Sequence, residues 1–135
     1  MCHSLEKKNF FSTKYNEVNL RNGPGVKHLL IYKILKKGYP IKVIEEFDNW
    51  KRVVDHKKRT GWISNSQLTN KKFGILITNL VKVKKFPENE SKTIGIARIN
   101  LVFQIIKCKT NWCKIMSDRK KGWIQKNTFW GDKNP

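Results

Sequence analysis

The sequence predicts an all-β chain folded as two tandem small β-barrels packed together. Three observations predict it. The chain repeats itself: Asn49-Trp50-x-x-Val53 returns as Asn111-Trp112-x-x-Ile115 after 62 residues, and Gly61-Trp62-Ile63 returns as Gly122-Trp123-Ile124 after 61. The apolar residues fall in short β-branched or aromatic runs separated by Gly, Pro, Asn and Asp, which is strand punctuation. No stretch carries the length and 3.6-residue period of a long helix.

The elements follow in chain order. Residues 1–12 read as an N-terminal tail and 13–70 as the first barrel. Its strands are expected at Tyr15 to Leu20, Ile31 to Leu35, Ile41 to Phe47, Trp50 to Asp55 and Thr60 to Ser64. Gly23-Pro24-Gly25 suits a type II turn, in which proline presets one dihedral and Gly25 accepts a positive φ. Residues 71–131 form the second barrel. Its strands are expected at Ile75 to Asn79, Leu80 to Lys84, Ile94 to Arg98, Val102 to Cys108, Trp112 to Met116 and Lys121 to Gln125. One helical turn is expected in each copy, at Asn65 to Leu68 and at Asn127 to Trp130, and residues 132–135 are a C-terminal tail. Copies of about 60 residues lie near the lower size limit for an independent core, so their strands must curl to hide their edges. The link from Leu68 to Gly74 is short, which brings the two barrels into contact.

Composition narrows the function classes. A chain of 135 residues is too short for a large dinucleotide-binding or (β/α)8 enzyme, and 39% apolar residues with 11% aromatic exclude a disordered chain. No apolar run reaches the roughly 20 residues of a membrane-spanning helix. No charged start precedes an apolar segment, so no secretory signal is visible in these residues. The formal net charge is +19, from 29 Lys+Arg against 10 Asp+Glu. Such a charge attracts polyanions, nucleic acid among them. Yet only five of those cations are arginine, alanine occurs once, and the excess is spread as +8 over residues 1–70 and +11 over 71–135. A lysine-rich coat imposed by biased composition explains it equally well.

The ordered motifs Val18-Asn19-Leu20-Arg21-x-Gly23-Pro24-Gly25, Gly38-x-Pro40-Ile41-x-Val43-Ile44, Trp50 and Gly61-Trp62-Ile63 resemble a bacterial SH3 (SH3b) domain. Phe47-x-x-Trp50-x-x-Val53-x-Asp55 in the first copy, and Cys108-x-x-x-Trp112-Cys113 followed by Gly122-Trp123 and Trp130-Gly131 in the second, are similar to a family of small tandem SH3-like bacterial proteins. The similarity runs from about Phe11 to Gly131. It implies SH3-like barrels and an exported or periplasmic, non-enzymatic module that binds cell-wall peptides or protein partners. The second copy departs from the pattern, with Val83-Lys84-Lys85-Phe86-Pro87 in place of Asn-Leu-Arg and Gly-Pro-Gly. The first barrel is therefore the expected binder.

Cys108 and Cys113 flank Lys109-Thr110-Asn111-Trp112, where a four-residue hairpin loop would oppose them within disulfide reach. That spacing, together with the family pattern, predicts a bridge; two reduced, small apolar residues are the alternative. Cys2 is left over as a free thiol. No metal site or cofactor is expected, because the three Cys and three His residues show no paired-ligand spacing. Cys2-His3 is terminal, His28 and His56 sit in loops, and Glu45-Glu46 alternate faces if in a strand, so no catalytic constellation emerges.

Aromatics carry the binding argument. Tyr15, Tyr32 and Tyr39 occur in the first copy only. Tyr32, Tyr39 and Trp50, with Asn19 and Arg21 as a polar clamp, are expected to line an aromatic groove for extended peptides. Trp62 and Trp123, at equivalent positions, are expected to pack in the core. The function expected is a cell-envelope binding module for peptidoglycan peptides or an extended protein segment. The alternative is a cytoplasmic basic barrel that binds nucleic acid.

Overall fold

The computed structural model describes residues 9–134, so Cys2 and His3 lie outside the described residues. The chain divides into two compact units between Lys71 and Lys72. The first contains β1 (Phe10–Thr13), β2 (Val18–Arg21), β3 (Leu30–Ile34), β4 (Pro40–Phe47), β5 (Trp50–Val54), β6 (Thr60–Ser64) and β7 (Leu68–Thr69). The second contains β8 (Phe73–Leu76), β9 (Leu80–Lys84), β10 (Thr93–Arg98), β11 (Val102–Lys109), β12 (Trp112–Ser117), β13 (Lys120–Gln125) and β14 (Phe129–Gly131). Among the described residues helical structure is confined to single 3₁₀ turns at Asn65–Gln67 and Lys126–Thr128. Among the described residues no helix is long and apolar enough to cross a membrane.

Each unit is one seven-stranded antiparallel sheet. The strand orders are β3-β2-β6-β5-β4-β1-β7 and β10-β9-β13-β12-β11-β8-β14, so adding seven to each label converts one into the other. The repeat extends to irregularities. In the first unit the register slips between Leu20 and Arg21 opposite β3, and between Val43 and Glu45 opposite β5. In the second it slips between Thr93 and Gly95 and between Ile105 and Lys107, the matching places. Bulges bend strands and raise twist, which lets a small sheet curl over its own core.

Alternation along the strands builds that core. Val18 and Leu20 point inward from β2, joined by Ile41, Val43, Val53 and Ile63. The second core gathers Leu76, Val81, Ile105, Cys113, Ile115 and Ile124 around Phe103 and Phe129, whose rings meet edge to face at 5.2 Å. Trp123 is buried, whereas Trp62 is only half-buried.

Four local expectations are corrected. Phe10–Thr13, mostly within the presumed tail, is a strand that pairs with both β4 and β7. Its backbone hydrogen bonds go to the sheet, and Ser12 and Thr13 are buried. The expected strand at Tyr15 to Leu20 shortens accordingly to Val18–Arg21. No type II turn with positive φ forms at Gly25, because the glycines with positive φ are Gly38 and Gly131. Gly23 serves a different need: a Cβ there would lie 2.3 Å from the His28 ring, which folds over the loop. The hairpin between the cysteines turns through two residues, not four, since Lys109 pairs with Trp112 and Thr110 takes a positive φ.

Candidate functional site

The most organised polar group among the described residues lies at the mouth of the first unit, where the β5–β6 turn faces the end of β3. Asp55 anchors it. Its Oδ1 accepts the backbone N–H groups of Lys57 and Arg59 at 3.0 and 2.9 Å, and its Oδ2 accepts the Tyr39 hydroxyl at 2.9 Å and Arg59 Nε at 2.8 Å. Arg59 Nη2 donates in turn to the Tyr39 oxygen at 3.1 Å, and the guanidinium lies 4.0 Å from the centroid of the Tyr32 ring. Tyr39 is fixed from behind, because Thr13 Oγ1 accepts its backbone N–H at 3.0 Å while donating to the Lys36 carbonyl at 2.7 Å. Strand β1, unexpected from sequence, thus positions the tyrosine.

The electrostatics follow from burial and pairing. Burial alone would raise the Asp55 pKa, but the Arg59 N–H, the guanidinium and the Tyr39 hydroxyl favour the carboxylate and hold it below its ordinary value. Burial, then the hydrogen bond to Asp55 and its charge, push the Tyr39 hydroxyl well above the usual phenol range. Burial lowers His56, whose Nδ1 is 3.4 Å from the Tyr39 oxygen. Arg59 keeps its proton more tightly than usual, since its bonds to Asp55 and Tyr39 outweigh desolvation. A phenol held protonated beside a fully engaged carboxylate is a brace, not a nucleophile or base.

The five residues expected to line one groove are not gathered into one. Tyr39 is only 8% exposed and belongs to the brace; its hydroxyl is committed to Asp55. Tyr32, 36% exposed, stands opposite Leu20 on the inner side of the β2–β3 ladder and is linked to Tyr39 through Arg59. Asn19 and Arg21 alternate to the outer face of β2. Arg21 pairs there with Trp62 and donates from Nη1 to the His28 carbonyl, and Asn19 Oδ1 is buried with no hydrogen-bond partner. Trp50 opens β5 at the opposite end from the brace, about 17 Å from Asp55 along the chain at 3.3 Å per residue. Asp55 and Arg59 were missed as site residues. The signal for them was the Asp-x-x-x-Arg spacing across a predicted turn, which matches an aspartate closing its own loop.

Beside the brace, β3 is an edge strand whose first four residues, Leu30, Ile31, Tyr32 and Lys33, are all exposed. Val26 and Leu29 in the preceding loop extend that apolar surface.

A family model described as bacterial SH3 domain matches residues 14–70 and again 79–131. Among solved structures, the chain is similar to NlpC2 from Trichomonas vaginalis at 13% identity and a TM-score of 0.41, covering 93% of this chain and 48% of that one. NlpC1 from the same organism matches at 12% identity and a TM-score of 0.40, with 90% and 45% covered. An NlpC/P60 family protein from Bacillus cereus matches at 13% identity and a TM-score of 0.41, with 93% and 57% covered. The chain spans about half the length of these solved proteins. No curated protein matches it.

Proposed function

Because the chain belongs to the bacterial SH3 domain family, we propose that it is a non-catalytic binding module of the cell envelope, recognising a peptidoglycan peptide or an extended protein segment through its first unit. The observation that carries this reading is the exposed edge of β3, where Leu30, Ile31 and Tyr32 follow one another along the outermost strand of the sheet among the described residues. An open edge offers main-chain hydrogen bonds to an extended partner, and alternate side chains supply the apolar contacts. Arg59, clamped on Asp55, holds the Tyr32 ring in place before any partner arrives.

The nucleic-acid reading asks for aromatic faces open beside cations. Exposed rings do stand beside cations, Tyr15 by Lys14 at 5.9 Å and Phe86 by Lys85 at 5.6 Å, but both lie in loops, not on an open strand edge, and the ring of Trp123, beside Lys107 and Lys109, is buried. The peptide reading is therefore preferred.

Retention on purified sacculi tests it. The wild-type chain is expected to be retained at physiological salt, Tyr32→Ala to lose most retention, and Trp50→Ala to keep it. Retention by Tyr32→Ala with loss by Trp50→Ala would move the site to the other end of the barrel. No retention of the wild type in low salt would remove the wall version.

A further inference from the structure

The two units carry the same corner in two states, one filled and one empty. In the first, Leu20 on β2 opposes Tyr32 on β3; in the second, Val83 on β9 opposes Gly95 on β10, across an equivalent bulge. Gly95 thus stands where Tyr32 stands. Leu101, immediately before β11, takes the place of Tyr39 before β4, and Ser117 takes the place of Asp55 at the end of the central strand. Lys120 replaces Arg59 as the cation at the far side of the turn. The buried Ile34 is also reduced, to Ala97.

These replacements remove a ring, a phenol and a carboxylate but keep a cation. What remains is a cavity of about 320 Å³. Val83, Leu101, Ala97 and Ile115 form its apolar floor, Ile94 and Ile96 its lips, and Lys120, Lys121, Ser117 and Asp118 its rim. Ile94 and Ile96 are 48% and 56% exposed. The volume lies at the low end for ligand pockets, suited to one large side chain. Strand β10 is the sheet edge beside it, with main-chain groups open to an extended partner.

We propose that this corner of the second unit receives an aromatic side chain carried by an extended acidic peptide. The first unit shows what the corner accepts, because there the chain itself places an aromatic ring under a cation. In the second unit the cation is retained and the ring must come from outside. Two lysines against one aspartate on the rim favour acidic residues on either side of the aromatic anchor. This site is separate from the β3 edge of the first unit and goes beyond the function proposed above.

The test uses the full chain, ¹⁵N-labelled, with three probes: acetyl-DEFED-amide, the same peptide with alanine replacing phenylalanine, and acetyl-KKFKK-amide. The phenylalanine peptide is expected to shift the amides of Gly95, Leu101 and Ser117 and to bind at least tenfold more tightly than the alanine peptide. Gly95→Tyr restores the missing ring. A Cβ at that position meets nothing within 4 Å, so the backbone accepts it. The variant is expected to weaken the phenylalanine peptide at least tenfold and leave the alanine peptide unchanged. Equal binding of the two acidic peptides, shifts confined to the first unit, or equally tight binding of acetyl-KKFKK-amide would each overturn the proposal. Should Gly95→Tyr fail to fold, the wild-type shift map and the two-peptide comparison decide alone. Failure here leaves the sacculus result with Tyr32→Ala untouched, since that variant alters only the first unit.

Discussion

Cys108 and Cys113 oppose each other directly across β11 and β12, Cα atoms 4.0 Å apart and sulfurs joined, at the register position where the first unit places Glu46 against Lys51. One fold therefore closes the same hairpin in two ways, covalently and by a 3.1 Å ion pair. The two are unequal. Glu46 is largely exposed although Lys51 is mostly buried, and a pair with one partner in solvent is worth about 1 kcal/mol. The disulfide closes a loop short enough to give about 2 kcal/mol by the chain-entropy account. Cys113 is completely buried, whereas Lys51 at the equivalent position keeps 13% of its side chain exposed and reaches Glu46. Reductant is expected to speed hydrogen exchange across Trp112–Ser117 and leave Trp50–Val54 unchanged. Equal acceleration in both segments would refute the local role.

The repeated Gly-Trp-Ile motif has a steric reason. A Cβ on Gly61 would lie 2.5 Å from Leu20 Cγ and 3.0 Å from the Arg21 carbonyl oxygen, and one on Gly122 would lie 2.3 Å from Val83 Cγ1. Strand β6 or β13 passes too close to its neighbour for any side chain at this point. Gly61→Ala and Gly122→Ala are each expected to destabilise their own unit by about 2 kcal/mol, read by denaturant unfolding with segment-resolved exchange. A neutral Gly61→Ala would show that Leu20 yields freely.

Much of the fold was legible because it is written twice. The Asn-Trp and Gly-Trp-Ile repeats located β5, β6, β12 and β13, since glycine and tryptophan there answer to local packing within each copy. Strand β1 was not legible: Phe10–Thr13 is short, and only its distant pairing with β4 and β7 makes it a strand. The site was harder still. Residue type singled out Tyr32 and Tyr39, but not the strand alternation and chain reversal that leave one exposed and bury the other. The empty corner at Gly95 was invisible for a related reason. A glycine in a strand signals a bulge or a close approach, and only superposing the two registers shows which ring is missing.

Thr13 tests the reach of β1 into the site. Its hydroxyl bridges the Tyr39 N–H and the Lys36 carbonyl, and the residue is 1% exposed. Thr13→Val keeps the shape and removes both bonds, leaving the buried Tyr39 N–H without its acceptor. A loss of about 2 kcal/mol is expected in the first unit alone. Binding through Tyr32 should weaken with it, because Tyr39 helps hold Arg59. Unchanged stability would return Phe10–Thr13 to the status of a tail.

Acid should weaken the first unit in two stages. His56 is held below its ordinary 6.5 chiefly by burial, and the Lys57 and Arg59 charges oppose protonation further while Asp55 favours it. The unfolded chain therefore binds a proton that the folded chain refuses, and stability declines as pH falls below about 6.5 until the folded pKa is passed. Asp55 is held below its ordinary 3.8, so its contribution is present above that value and is lost as pH falls through the lower folded value. His56→Gln is expected to abolish the first decline and Asp55→Asn the second. At neutral pH Asp55→Asn should cost about 2 kcal/mol, less than a fully buried pair would, because the Arg59 side chain is 36% exposed. Denaturant unfolding between pH 7 and pH 3, resolved by exchange in Trp50–Val54, checks both stages. Parallel curves for wild type and Asp55→Asn below pH 4 would show that the brace does not carry the acid sensitivity.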